Sequence, residues 1–187
     1  MQSRRLRIPL RRRKVDACII VFFSFNLMFV SYMFNPEQIV YKDANLIEYK
    51  AWPPSYAVKA AHWWGRHFDP ALIARPAWRV AAAWIDLLLF GPFYLFAIYA
   101  YIDGREWVRL PSLLYAAAIL TIMTMIIAES FFGDYATPYP FIHLAVHIPW
   151  ILFPTVILIR MWKPNPFTVE APVTLEAPTG REAGRPD

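Results

Sequence analysis

Asp86, Glu129 and His147 are ionisable side chains lying inside long apolar stretches, with His143 one helical turn before His147. A carboxylate at mid-bilayer costs at least ~2.5–3.5 kcal/mol on insertion scales, so such groups turn toward a bundle interior and mark candidate functional sites. Two carboxyls sharing an apolar chamber titrate apart, so one is able to donate a proton while the other accepts one. That is the pairing an acid–base isomerase needs. The same residues also read as plain helix-orienting hydrogen-bonding groups, and His143 reads more readily as an interfacial or supporting group than as a reacting one. Two histidines and two carboxyls form a conceivable zinc set, but nothing else supports a metal. The single cysteine, Cys18, offers neither a disulfide nor a thiolate cluster. The expectation is no metal and no cofactor.

The elements that must position these groups are membrane spans. Of 187 residues, 58% are hydrophobic, 17% aromatic and only 18% charged, too apolar for an ordinary soluble domain. Apolar runs of membrane length cover Ala17 to Phe34, Ala81 to Ile102, Ser112 to Phe132 and Ile142 to Ile159. A soluble enzyme, a disulfide scaffold and a nucleic-acid reader are thereby excluded as first readings. The fold class is all-α, a four-helix polytopic bundle. Its domains are a basic head over 1–16, the membrane domain over 17–163 and a tail over 164–187 that is expected to be disordered for its prolines and lack of apolar period.

Arg4, Arg5, Arg7, Arg11, Arg12, Arg13 and Lys14 precede the first run, which leaves through Phe34-Asn35-Pro36-Glu37 without a small-residue cleavage site, so it reads as a retained anchor. With the head in the cytoplasm, 13 basic residues fall inside and 6 outside, all six in the first loop, and both termini are cytoplasmic. The basic head is also placed to rest on anionic lipid. Within the first loop, Tyr56 to His67 reads as a short amphipathic helix after Trp52-Pro53-Pro54, and Asp69 as the cap of a turn over Pro70 to Ala74.

Alternating span directions bring Asp86, Glu129 and His147 to one level. Asp86 lies about five residues into span two, or ~8 Å at the helical rise, with Glu129 and His147 at similar depth in the outer third of the membrane. Trp84, Phe90, Phe93, Tyr94, Phe131, Phe132 and Trp150 crowd this zone. Their faces could stabilise a cation, or simply form an interfacial belt. Gly91-Pro92, Pro149 and Pro154 interrupt helical hydrogen bonding and should open a cavity suited to a sterol-like or prenyl molecule with one polar head.

Three stretches resemble the emopamil-binding protein and sigma-2 receptor superfamily, whose four-span members share the EXPERA domain, with the sigma-2 branch the nearer. They are His62 to Leu72, Trp84-Ile85-Asp86 through Phe90-Gly91-Pro92-Phe93, and His147-Ile148-Pro149-Trp150-Ile151-Leu152-Phe153-Pro154. By that match Asp69 takes the ligand-site aspartate and Asp86 the buried acidic position, while His147 stands where the sterol isomerase branch has a polar residue and Trp150 where it has an aromatic. The sigma-2 branch carries an acid near the outer end of span one, where this chain has Met33, Phe34 and Asn35, with Glu37 the nearest acid. The resemblance implies a bundle around a sterol-sized cavity in an internal membrane, the endoplasmic reticulum in a eukaryote or the inner membrane in a bacterium.

Two functions follow. In the first, Asp86 and Glu129 act as acid and base in a cofactor-free isomerase or cyclase of a sterol or terpenoid, with His147 relaying a proton and Trp84, Tyr94 and Trp150 sheltering charge. In the second, the chain is a non-turnover sterol or lipid receptor or trafficking protein that uses Asp69 and Asp86, with Trp84, Phe90, Tyr94 and Trp150 lining the ligand. The partners are a hydrophobic small molecule and membrane lipid, with no nucleic acid; a homodimer is compatible with the sequence.

Overall fold

The computed structural model describes residues 5–40 and 52–170. Four helices are long and apolar enough to cross a membrane: span one (Lys14–Ile39), span two (Ala77–Asp103), span three (Glu106–Phe132) and span four (Pro140–Met161). They reach beyond the apolar runs because charged and polar ends continue the helices into the interface.

Spans one and two each contain wide turns with i→i+5 bonding, over Asn26–Phe34 and Asp86–Phe90. Each ends two residues before a proline, Pro36 and Pro92. Proline has no N–H to return to the preceding turn, and a widened turn redistributes the freed carbonyls. The expected interruption at Gly91-Pro92 thus takes the form of a π segment. Gly91 eases a close approach there, since a Cβ would stand 3.0 Å from the Tyr32 hydroxyl of span one and the phenol would have to give way. Span four carries Pro149 and Pro154 within one continuous helix.

The core is aromatic. Phe23 is fully buried, with the rings of Phe93, Tyr94, Tyr101 and Tyr115 centred 5.5–5.6 Å from it. Outward faces are apolar too, through Val21, Leu88, Leu89 and Phe96, as lipid requires.

Both described chain ends lie at one end of the bundle. Strand β1 (Arg5–Arg7) pairs antiparallel with β2 (Thr168–Glu170), and Phe167 is fully buried between the guanidinium groups of Arg13 and Arg160, 5.0 and 5.5 Å from its ring. Both arginines bond the buried carboxylate of Asp16, at 3.0 and 2.9 Å. The tail expected to be disordered from Pro164 is therefore ordered through Glu170, because Phe167 supplies an apolar anchor that a composition reading of its prolines overlooks. Residues 171–187 lie outside those described.

At the opposite end, α1 (Ser55–Phe68) and α2 (Pro70–Ala74) cover the bundle. The apolar side of α1, Ala57, Val58, Ala61 and Gly65, is buried, while Lys59 and Arg66 face out. Asp69 caps α2 as anticipated, accepting from the Leu72 N–H at 3.2 Å, with Pro70 at the first helical position.

Candidate functional site

The wide turns of spans one and two face each other, and beside them a cavity of about 350 Å³ opens under α1. Its walls are largely apolar, including Phe25, Phe90, Ile119, Met123 and Ile126, and most of its polar groups gather toward the α1 end: Asn35, Glu37, Gln38, Asp69, Arg79, Asp86 and His147, with Asn26 farther along span one.

Each carboxyl has its own surroundings. Glu37, 1% exposed, lies 2.7 Å from His62 Nε2 and also meets Arg75. Asp69, 3% exposed, forms a two-pronged pair with Arg79, at 3.2 and 2.8 Å. Burial alone would raise the Asp69 carboxyl, but the Arg79 guanidinium, helped by His143, outweighs it and holds the group below the ordinary carboxylate value. Asp86, 7% exposed, has neutral partners among the described residues: Asn35 Nδ2 donates to Oδ2 at 2.7 Å and the Tyr94 hydroxyl stands 3.5 Å from Oδ1.

His147 Nδ1 is 2.8 Å from the His143 carbonyl, which accepts only, so Nδ1 carries a hydrogen and, in the neutral ring, Nε2 keeps its lone pair. No partner for Nε2 occurs among the described residues. His143 is fully buried, with Nδ1 2.8 Å from Ser130 Oγ and Nε2 3.5 Å from Asp69 Oδ2. Serine, histidine and aspartate thus stand in a nucleophilic order, but Ser130 Oγ is also bonded to the Ile126 carbonyl at 2.8 Å and does not line the cavity. The row fixes His143 beneath Asp69. Trp150 lines the cavity and donates to Asn26 Oδ1 at 2.7 Å.

Asp69, Asp86, Phe90, His147 and Trp150 therefore meet around one cavity, with Tyr94 directly behind Asp86. Two expected members do not. Glu129 turns to the loop after span three, where its Oε1 accepts from the Tyr135 N–H at 2.8 Å. It lies three residues from the end of span three, whereas Asp86 lies nine residues into span two, and Ile119, Met123 and Ile126 carry span three's cavity-facing side. Trp84 is 44% exposed on the outer face of span two, where it fits an interfacial belt.

Sequence reasoning passed over Asn26, Asn35, Gln38 and Arg79 and treated Glu37 only as a displaced acid. A signal existed, since Asn26, Ser31, Asn35 and Gln38 recur at spacings of 3 to 5 residues once span one is carried past Phe34. Among the described residues no cluster of His, Cys, Asp and Glu has a metal-holding arrangement.

The family described as EXPERA (EXPanded EBP superfamily) matches residues 49–161. The chain is similar to sigma intracellular receptor 2 of Macaca fascicularis, 23% identical over 168 residues, which cover 82% of this chain and 90% of that protein. The Homo sapiens protein of that name is 28% identical over 113 residues, covering 53% of this chain and 64% of its own length. That of Xenopus tropicalis is 25% identical over 119 residues, covering 58% and 70%. With four membrane-length helices and a family match over more than half its length, the chain belongs to the EXPERA (expanded EBP) superfamily.

Proposed function

We propose that the protein binds a hydrophobic small molecule with one polar head, of sterol-like or terpenoid kind, inside the bilayer. The supporting observation is the cavity of about 350 Å³, largely apolar along its walls, with most of its polar groups toward one end and the Asn26 amide oxygen on the wall engaged by Trp150, within the size range of small-molecule sites. The apolar body lies along Phe90, Ile119, Met123 and Trp150, and the head reaches Asp86 and His147. The relatives' printed name, receptor, is in keeping with binding. Mass spectrometry of lipid that copurifies tests the reading. A single hydrophobic species enriched with the native chain and lost from Asp86→Asn supports it, and bulk membrane lipid in bulk proportion contradicts it.

A second reading is acid–base isomerisation, favoured by one observation: Asp86 has no cation among its described partners, and His147 brings a free lone pair to the same cavity. Asp86 protonates one carbon of a double bond, the positive charge develops on the other, and His147 removes a proton from the next carbon beyond it, whose C–H pair becomes the shifted double bond, so atoms and electrons balance without a cofactor. His147 takes the role that Glu129's position withholds. Incubating a polyene or sterol panel in deuterated water distinguishes the two readings: deuterium on carbon marks turnover, and unaltered ligand marks binding alone. From the asymmetry of basic residues we propose that the end bearing the β1–β2 pair faces the cytoplasm, the membrane being the endoplasmic reticulum of a eukaryote or the inner membrane of a bacterium.

A further inference from the structure

The three cavity carboxyls differ in what neutralises them. Glu37 has Arg75 and His62, and Asp69 has Arg79. Asp86 has two hydrogen-bonding partners of unlike chemistry, Asn35 and Tyr94, and the buried Ser31 hydroxyl of span one stands near the same carboxyl. An amide N–H only donates, so Asn35 fixes Oδ2 as an acceptor whether or not the carboxyl is protonated. A phenol donates or accepts, and the Tyr94 hydroxyl stands on the Oδ1 side. Behind it the Tyr115 hydroxyl is 3.2 Å away. Both tyrosines are buried, at 0% and 3% exposure, and their rings are wedged against Phe23. The rings are held; the hydroxyl hydrogens can still turn.

We propose that Tyr94, backed by Tyr115, is a positioning residue that lets Asp86 exchange a proton with the cavity ligand, the two hydroxyls reversing direction as the carboxyl changes charge. With Asp86 protonated on Oδ1, its O–H donates to Tyr94 and Tyr94 donates to Tyr115. When that proton passes to a basic atom of the ligand, the ligand gains the positive charge and Asp86 keeps the electron pair. Tyr94 then turns to donate to Oδ1, and Tyr115 turns to donate to Tyr94. Neither phenol breaks an O–H bond. The need is physical, because an ion in apolar surroundings without hydrogen bonds is heavily penalised, and a charge-assisted bond is about twice as strong as a neutral one. Around Asp86, span one contributes Asn35 and Glu37, the turn before α2 contributes Asp69, span two Arg79 and Tyr94, span three Tyr115 and span four His147. Glu37 and Asp69 are matched by their own arginines, which leaves hydroxyls as the adjustable elements: the tyrosine pair, which forms a chain away from the carboxyl, and the single hydroxyl of Ser31 on span one.

The inference rests on the cavity being a ligand site, and its primary test needs no ligand. Infrared spectroscopy of the full chain in lipid nanodiscs reads the C=O stretch of a protonated carboxyl, and Asp86→Asn assigns the band. The expected result is a move of the Asp86 band to higher frequency in Tyr94→Phe, which removes the hydroxyl and keeps the ring. Tyr115→Phe should move it less in the same direction and serves if Tyr94→Phe does not fold. Tyr99→Phe, 54% exposed on the outer face, should leave it in place. A band unmoved in both Tyr94→Phe and Tyr115→Phe overturns the proposal, as does the absence of any band that Asp86→Asn removes.

Dodecylamine, a lipophilic base, then probes the exchange. It should abolish the band in the native chain and require about tenfold more amine in Tyr94→Phe, the loss of one hydrogen bond to a charged group. Equal amine requirements in the two proteins overturn the proposal. Failure of any hydrophobic molecule to copurify sinks the ligand reading instead, and the frequency comparison still decides the role of Tyr94.

Discussion

At the scale of single residues, two acids in successive spans have different work. Asp86 faces the cavity, so Asp86→Asn should weaken ligand retention at least tenfold, read by displacement of a bound lipid from detergent-solubilised protein. Glu129 braces a loop, so Glu129→Ala should leave retention unchanged and cost about 1 kcal/mol of stability, the worth of one ordinary hydrogen bond. Loss of retention in Glu129→Ala would restore it to the site. Asp69 carries a pH dependence of definite sign. Its folded-state value lies below the unfolded one, so its contribution is complete above about pH 4 and is lost as pH falls through the lower value. Removing the charge strands the Arg79 guanidinium, so Asp69→Asn should lower stability by about 3 kcal/mol near neutral pH. The gap between native and variant should narrow on acidification; a gap independent of pH would assign Asp69 to its capping role alone.

At the scale of elements, the cavity owes its roof to the approach of α1 to α2. Gly65 allows that approach: a Cβ there would fall 2.8 Å from Ile73 and 2.9 Å from Leu72. Gly65→Ala should therefore cost about 1–3 kcal/mol through displaced neighbours, and since Trp64 and Asp69 border the cavity, ligand retention should fall with it. Thermal unfolding together with lipid displacement checks both, and a variant as stable as the native chain would mean that α2 yields without cost. The widened turns before Pro36 and Pro92 belong to this scale as well. Prolines announce where helical bonding fails, but whether the chain answers with a bend or a wider turn depends on the neighbouring helix, here through Tyr32 against Gly91.

At the scale of the whole molecule, the β1–β2 pair ties the first described residues to the last at one end of the bundle, as an even number of spans requires. Reporter fusions at the two termini should report the same compartment, and opposite compartments would contradict the four-span arrangement. Phe167→Ala should destabilise by about 3 kcal/mol, since it empties a fully buried site between two arginines. Stability equal to the native chain would make the pairing incidental. The class of fold, the number of spans, the capped turn at Asp69 and the candidacy of Asp86, His147 and Trp150 were legible in the sequence, because span length, proline placement and buried charge are local consequences of water and lipid as solvents. Which face each span turns inward was settled only by tertiary packing. Depth is counted along one helix, but rotation is set by all its neighbours, and a turn of the third helix separates Glu129 from the cavity as a widened first helix brings Glu37 into it.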